Sequence, residues 1–341
     1  MAQTLEVVAG HVPVELVTRP AWERVRRVAD CLPAALVQGF YLECRLGAED
    51  PEVDLIVRIE RAGQEIIAGC NPKVGLPQVF RDDEAWHRLS RLCAAWADDP
   101  LLRATVSHLW LEFDLGGAGN CQPSAFVAFD SGTARTLDPR TWTGVLDRLV
   151  EYMVPDASTF DTRAFRAAVG RVQTGITIPY FGFMLTRQTP VIRVYAAWSA
   201  AAALTETLAW TGWAGNASEL SSEIQRLSAG GGIRGGLVHV DMAEGVMPYV
   251  GVEYALQRRT QLSGRIAEER FLHDLVAAGL CTEVKSRALA RWPGCGRHQL
   301  DHELWTSVVM RRVNHVKLVY RPGAALEAKA YLLTHWRPTS W

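Results

Sequence analysis

The sequence lacks the segments that would anchor the chain in a membrane or direct it out of the cell. Its most apolar stretch, Ala196 to Gly215, carries Glu206 and three Thr, so it falls short of a membrane span and predicts a buried helix. No basic-then-apolar leader opens the chain, which predicts a protein that is not secreted. We therefore expect a cytoplasmic protein with no membrane partner.

An excess of charge of either sign is also missing. The 341 residues are 48% hydrophobic and 21% charged, with a formal net charge of -1. Nucleic-acid binders normally carry a basic stripe, so this balance argues against a nucleic-acid partner. Length and composition are those of an ordinary globular protein, and we predict a single domain spanning residues 1–341.

Paired cysteine motifs are absent. The seven Cys are scattered without a CxxC pair, which predicts free thiols in a reducing compartment and not a disulfide scaffold. Cys295, His298 and His302 have C-x2-H-x3-H spacing, with the two His on one face if this segment is helical. A four-ligand zinc site would need Cys281 as well, so the partial motif does not lead us to predict a metal.

Several catalytic signatures are missing too. The Gly-rich run from Ser228 to Gly236 follows a predicted helix and lacks Lys-Ser/Thr, whereas phosphate loops follow a strand and open a helix. We interpret it as a connection or a lid at the rim of the fold. No Ser/His/Asp triad and no DDxxD run is visible, and Asp82-Asp83 more plausibly caps a helix.

What the sequence does contain is a series of strand pairs with one apolar and one polar face. Residues Val313 to His335 predict two strands joined by a turn at Arg321-Pro322-Gly323. Alternation puts His315 and Lys317 on one face of the first strand. It puts Glu327, Lys329 and Tyr331 on one face of the return strand, opposite Ala328 and Ala330.

The same helix-strand-strand pattern occurs five times, at intervals of roughly 60 residues, which is the behaviour of a structural repeat. The predicted strands are 39–46, 53–61, 107–115, 124–130, 177–186, 191–198, 236–242 and 247–256, followed by the pair within 313–335. We interpret residues 62–80 as loop and residues 264–292 as a long helix. The pattern predicts an α+β fold: a ten-stranded antiparallel barrel with an outer ring of helices.

In such a barrel the apolar strand faces pack under the helices and the polar faces line the lumen. The lumen would then hold three sets of side chains, which we give by type. The cations are Arg45, Arg58, Arg193, Lys317 and Lys329; the acids are Glu43, Glu112, Asp114, Asp241 and Glu253; the aromatics are Tyr41, Trp110, Tyr195, Tyr249 and Tyr331. His239 shares the face of Asp241.

This organisation resembles the ABBA, or PT-barrel, aromatic prenyltransferases over roughly residues 20–336. That family places Arg or Lys two residues before Tyr on lumen strands, and Arg193-Val194-Tyr195 and Lys329-Ala330-Tyr331 match the spacing. The resemblance implies that cations hold a prenyl diphosphate and that tyrosines shield the allylic cation. It also implies a Glu that holds the N–H of an indole acceptor, a role that Glu112 could fill as the catalytic base.

Each set also has a simpler interpretation. The cations could pair with the acids in a polar channel, since five cations converge only if the sheet closes. Paired acids could instead hold Mg²⁺, although the resemblance requires no cofactor. The aromatic residues stabilise a carbocation by cation–π attraction in the first interpretation and are core packing in the second.

These observations lead to one principal hypothesis and two alternatives. The principal hypothesis is a transferase of secondary metabolism that moves an isoprenyl group from an allylic diphosphate to an aromatic acceptor, such as an indole or a Trp-containing peptide. The first alternative is a non-catalytic barrel that binds a peptide or small molecule in a biosynthetic pathway. The second is a metal-assisted enzyme built on the same barrel.

Overall fold

A computed structural model of the chain describes most of the sequence. The described residues are 1–48, 51–116, 121–130, 132, 137–155, 162–170, 177–187, 189–198, 201–228, 235–255, 262–300 and 306–339. Structural statements below concern these residues.

Eleven strands form one antiparallel sheet. They are β1 Gly39–Arg45, β2 Val53–Ile59, β3 Val106–Phe113, β4 Ser124–Phe129, β5 Tyr180–Phe183, β6 Ile192–Trp198, β7 Gly236–Met242, β8 Val246–Ala255, β9 Gly294–Gln299, β10 Thr306–Tyr320 and β11 Glu327–Pro338. Ten of them close into a ring in the order β1-β2-β3-β4-β5-β6-β7-β8-β10-β11, because β11 pairs with both β10 and β1. The predicted ten-stranded antiparallel barrel is confirmed.

Strand β9 lies outside this ring and was not predicted. It pairs with the first half of β10, from Thr306 to Arg311, while β8 pairs with the second half, from His315 to Tyr320. The long strand β10 therefore serves two neighbours along one edge. Gly294 and Gly296, followed by the polar run 297–299, give this segment no alternating apolar pattern from which a strand could be predicted.

The helices lie in the segments that precede and connect the strand pairs. Their bounds are Ala2–Ala9, Arg19–Cys31, Arg61–Ile67, Gln78–Arg81, Glu84–Asp98, Pro100–Thr105, Pro139–Met153, Arg163–Gly170, Ala201–Thr211, Ala217–Ser228, Leu262–Ala277 and Glu283–Arg291, with a short 3-10 turn at Ala34–Leu36. No described helix is long and apolar enough to cross a membrane. The apolar stretch from 196 to 215 is divided between the end of β6 and the helix Ala201–Thr211.

The secondary structure predicted for two segments was wrong. Residues 62–80, interpreted as loop, contain the helices Arg61–Ile67 and Gln78–Arg81. The first is short and holds Gly63, which lowers helix propensity but lets the chain pass close to the Leu36 carbonyl, 2.6 Å from where a Cβ would stand. The long helix predicted for 264–292 is two helices, because Gly279 has φ +73° and Thr282 caps the second one.

The two faces of each strand meet different surroundings. Leu111 on β3, Leu318 on β10 and Ala330 on β11 are buried in the large apolar core between sheet and helices. Their sequence neighbours Glu112, Lys317 and Lys329 lie on the opposite face, because side chains alternate along a strand. A second, smaller apolar cluster that includes Phe126, Met184 and Tyr195 lies apart from that core. The barrel thus has its main hydrophobic layer outside and a mixed interior.

Candidate functional site

The barrel lumen contains a cavity of about 400 Å³, within the size range of small-molecule sites. Much of its wall is aromatic, from rings on β1, β3, β4, β6 and β11 and at the start of β5: Tyr41, Trp110, Phe126, Tyr180, Tyr195 and Tyr331. Tyr41 and Trp110 have ring centroids 4.8 Å apart, and Tyr180 meets Tyr195 edge-on at 5.6 Å. These contacts fix the rings and leave an apolar space between them.

Glu112, the predicted base, lines this cavity from near the end of β3. Burial raises the pKa of its carboxyl to about 8, and the nearby Glu43 carboxylate adds to the shift. None of the described residues donates a hydrogen bond to it. Glu112 is thus an acid group that faces open space inside the barrel, largely protonated at neutral pH.

A second carboxyl, that of Glu253 on β8, lines the same cavity between two imidazoles. Its Oε1 lies 3.9 Å from His239 Nδ1 and its Oε2 lies 3.7 Å from His315 Nε2. Burial raises the pKa of Glu253 to about 7 although Lys317 opposes the shift, whereas burial lowers the pKa of His315 to about 3. The imidazoles are therefore neutral, and both of these nitrogens are buried without a hydrogen-bond partner in the described part of the chain.

Lysines and a tyrosine surround the carboxylate of Glu43 on β1. Lys329 Nζ donates to one oxygen and the Tyr331 hydroxyl donates to the other, while Lys317 Nζ lies 3.1 Å from the Tyr331 hydroxyl. Burial alone would raise the pKa of Glu43, but the charges of Lys329 and Lys317 outweigh burial and hold it well below its usual range. Burial lowers the pKa of Lys317, whereas Glu43 raises the pKa of Lys329 in spite of burial.

Arg193 on β6 forms the other buried ion pair. Its Nε and second terminal nitrogen bind the two oxygens of Asp241 on β7, at 2.6 Å and 3.1 Å. Arg187 also reaches Asp241, at 2.9 Å, and Tyr249 donates to the same carboxylate. Burial opposes ionisation, but these donors hold the pKa of Asp241 at about 2. The pair is fixed and fully ionised.

Other predicted site residues lie at the ends of the barrel. Arg45 pairs with Glu52 at 3.0 Å, with both side chains 42% exposed. Arg58 pairs with Glu60 at 3.1 Å, with its guanidinium 5.6 Å from the centroid of the Trp110 ring. Asp114 follows the last residue of β3 and is exposed.

The five predicted cations do not all gather at one point: Arg193 and Lys329 lie near enough to Lys317 to lower its pKa, whereas Arg45 and Arg58 lie in exposed ion pairs. Each already contacts a carboxylate or, for Lys317, a hydroxyl. None of the described residues that line the cavity is Lys or Arg. The simpler interpretation, pairing with acids in a polar channel, describes Arg193 and Lys329, whereas Arg45 and Arg58 pair with partly exposed acids at the ends of the barrel.

The sequence did not predict several residues of the site, including Ile56, Leu237 and Asn314 of the cavity wall and the four that follow. Phe126 lies on β4, whose residues are all buried, so its pattern could not show which face is the lumen. Tyr180 begins a strand of only four residues. Arg187 lies in the turn after β5, and Asp54 sits between apolar neighbours on β2, where burial raises its pKa to about 7. Of these four residues, only Asp54 could have been predicted from the sequence, because the alternation of side chains along β2 puts it on the polar face.

The partial zinc motif does not form a helix face. Cys295 and His298 lie on strand β9 and pair with Met310 and Ser307 of β10, and His302 lies outside the described residues. Among the described residues there is no group of three or more His, Cys, Asp or Glu that could hold a metal ion.

No protein-family model matches the sequence, and no curated protein matches it significantly. Solved structures do. The prenyltransferase PriB in its apo form superposes with a TM-score of 0.53 at 16% identity, covering 98% of this chain and 93% of that one. A 6-dimethylallyl tryptophan synthase gives 0.54 at 15% identity, covering 97% and 94%. At such identities the likeness establishes the architecture, and with the closed ten-stranded ring it shows that this chain has the ABBA, or PT-barrel, fold.

Proposed function

We propose that the protein transfers an isoprenyl group from an allylic prenyl diphosphate to an aromatic acceptor, with indoles as the first acceptors to test. The observation that carries the proposal is the aromatic cavity inside the closed barrel, with the Glu112 carboxyl in its wall. PriB and the 6-dimethylallyl tryptophan synthase, two structures that cover nearly all of this chain, are described as enzymes of prenyl transfer, which supports the same chemistry here.

The reaction would proceed by ionisation of the donor. The allylic C–O bond breaks, diphosphate leaves with the electron pair, and the electron-rich ring attacks the allylic carbon to form the new C–C bond. The faces of Tyr41, Trp110 and Tyr195 stabilise the cation without trapping it. Glu112 then takes the ring proton, for which its carboxyl must be ionised. With a pKa of about 8, it is a stronger base than an ordinary carboxylate.

Lys317 is better placed than Lys329 to hold the diphosphate. Lys329 is committed to Glu43, whereas Lys317 makes its hydrogen bond to the Tyr331 hydroxyl, which lines the cavity. A diphosphate oxygen that takes the place of this hydroxyl would meet a buried ammonium group. Arg193 and Lys329 would add positive potential from behind, and fixed cations of this kind stabilise the leaving group as it develops charge. We expect no metal requirement.

We propose that this chemistry takes place in the cytoplasm, as part of secondary metabolism. The free thiols of all seven cysteines are compatible with a reducing compartment.

A second candidate, binding without catalysis, is favoured by one observation. The cavity wall carries two carboxyls and no described Lys or Arg, so a diphosphate has no cation at the surface of the empty cavity. In this alternative the barrel holds an aromatic small molecule or peptide, and the buried ion pairs are structural.

Thermal-shift and turnover measurements decide between the two. Prenyl diphosphates of five, ten and fifteen carbons would be tested against indoles, phenols and Trp-containing peptides, with and without EDTA. Transferase activity predicts stabilisation by at least one donor and a prenylated product that persists in EDTA. If no donor stabilises the protein while an aromatic acceptor does, the transferase proposal is wrong and the binding function replaces it.

A further inference from the structure

We propose that the acceptor carries a basic amine beside its aromatic ring, and that its ammonium group binds Glu253 while a ring N–H or O–H faces Glu112. The inference rests on the proposed function, because it treats the ligand as the prenyl acceptor. It adds the chemical class of that acceptor. It applies equally to an aromatic ligand that is bound and not prenylated.

The two carboxyls lie on opposite walls of one cavity. From β3, which carries Glu112, five steps round the ring in either direction lead to β8, which carries Glu253. Both side chains line the space between. A ligand that lies across this cavity therefore presents its two ends to two different acids, which calls for a donor group at each end.

Neither carboxyl obtains a hydrogen bond from the described protein. The nitrogens nearest to Glu253, on His239 and His315, stand 3.9 Å and 3.7 Å away and are themselves buried without partners. His239 is 2% exposed, and its ring lies over Gly251 of β8, in the space that a Cβ there would fill. Buried polar groups are normally satisfied, so unsatisfied groups around a cavity indicate a ligand that satisfies them.

The charge of the wall selects the sign of the ligand. No described Lys or Arg lines the cavity, so a ligand carboxylate would meet Glu253 or Glu112 instead of a cation. Lys317, the nearest ammonium to compete for Glu253, makes its hydrogen bond to Tyr331 and not to Glu253. An ammonium group would gain a charge-assisted hydrogen bond, and Glu253, with its pKa near 7, loses its proton readily when a cation arrives.

The aromatic wall favours the same ligand class. Tyr195 packs against His239 at a centroid distance of 4.9 Å, and Tyr331 stacks on His315 at 3.9 Å, so rings flank the Glu253 carboxyl on both sides. Aromatic faces attract an organic cation and also cover the apolar part of an arylalkylamine. The site therefore suits an amine of the tryptamine type better than the corresponding amino acid.

The test measures the affinity of four indoles without any prenyl donor. They are tryptamine, the neutral 3-ethylindole, the anion indole-3-propionate and the zwitterion tryptophan, titrated calorimetrically into the whole protein. Tryptamine should bind at least tenfold more tightly than 3-ethylindole, as one charge-assisted hydrogen bond predicts, and indole-3-propionate should bind most weakly. Equal affinity for tryptamine and 3-ethylindole, or a preference for tryptophan, overturns the inference.

Substitution then assigns the preference to one residue. Glu253→Gln should remove the advantage of tryptamine over 3-ethylindole, while the matched control Glu327→Gln, at a 43% exposed carboxyl that pairs with Arg321, should retain it. If tryptamine keeps its advantage in a folded Glu253→Gln protein, Glu253 is not the amine site. The ligand series on the unchanged protein stands by itself if that variant does not fold.

The outcome is separable from that of the proposed function. Tryptamine binding that depends on Glu253, without turnover with any prenyl diphosphate, supports the amine site and rejects the transferase. Turnover of neutral indoles with no preference for amines supports the transferase and rejects the amine site.

Discussion

Lys329 on the last strand donates a hydrogen bond to Glu43 on the first, across the seam where β11 and β1 close the barrel. Glu43 is buried and Lys329 is partly buried, with 3% and 17% of their side-chain surfaces exposed. The Tyr331 hydroxyl donates to the second oxygen of the same carboxylate, so the seam joins Glu43 to two groups of β11 that are far from it in sequence.

Lys329→Met should destabilise the protein by about 3–5 kcal/mol, because it leaves the Glu43 carboxylate buried without its cation. The double variant Lys329→Met/Glu43→Gln should recover much of that loss. Urea denaturation of the four proteins in this cycle measures the coupling. A double variant no more stable than the single one would show that the pair does not support the seam.

Lys317→Met should weaken the binding of a prenyl diphosphate by roughly one to two orders of magnitude, as expected for a lost charge-assisted contact of ~1.5–3 kcal/mol. Calorimetry with a non-hydrolysable donor analogue measures this loss. Arg45→Met is the matched control, since Arg45 is exposed and bound to Glu52. Equal donor affinity in Lys317→Met and the unchanged protein would contradict the assignment of Lys317.

Glu112→Gln should leave donor affinity unchanged and slow turnover by roughly two to four orders of magnitude, because it removes the proton acceptor alone. In the unchanged protein, the proposed turnover should rise with pH through about 8 as the Glu112 carboxyl ionises. Loss of donor binding in Glu112→Gln, or a pH profile that falls over this range, would assign the residue another role.

Stability should decrease as pH rises from about 4.5 to about 8. The folded pKa of Glu112, about 8, is raised above the unfolded value, so its stabilising contribution is complete below the unfolded pKa and is lost as pH rises through the folded one. Each such carboxyl contributes a slope of about 1.4 kcal/mol per pH unit within its window. Denaturation midpoints of the unchanged protein and Glu112→Gln between pH 5 and 8 measure the difference, and identical slopes would contradict the raised pKa.

The barrel itself could be predicted because alternation is a local signal. Residues 107–115 show which side chains share a face, and the structure places Leu111 in the outer core and Glu112 on the cavity as that alternation requires. Strand order followed from the five repeated hairpins, since antiparallel neighbours in sequence pair in space. The helix at Arg61–Ile67 was not predicted, because a short segment with an internal Gly shows no clear helical period.

Partnership between side chains could not be predicted, because it depends on register across strands. Alternation put Lys329 and Glu43 on lumen faces. Only the pairing of β1 with β11 shows that Glu43 accepts a hydrogen bond from Lys329 and not from Lys317. The position of Arg187 beside Asp241 depends on the path of a turn, which leaves no periodic trace. The sequence therefore predicted which side chains lie in the lumen better than it predicted which of them interact.

Placing the main hydrophobic core between sheet and helices separates two demands that most small domains impose on the same residues. Apolar side chains such as Leu111 hold the fold together from outside, and the lumen positions between them are left to bind and react. Exchange of a cavity residue such as Trp110 or Tyr180 would alter which molecule fits while leaving the outer hydrophobic core intact. The architecture is therefore well suited to diversification: new ligands can be accommodated by changes inside the ring at small cost in stability, provided that the Glu43–Lys329 seam is kept.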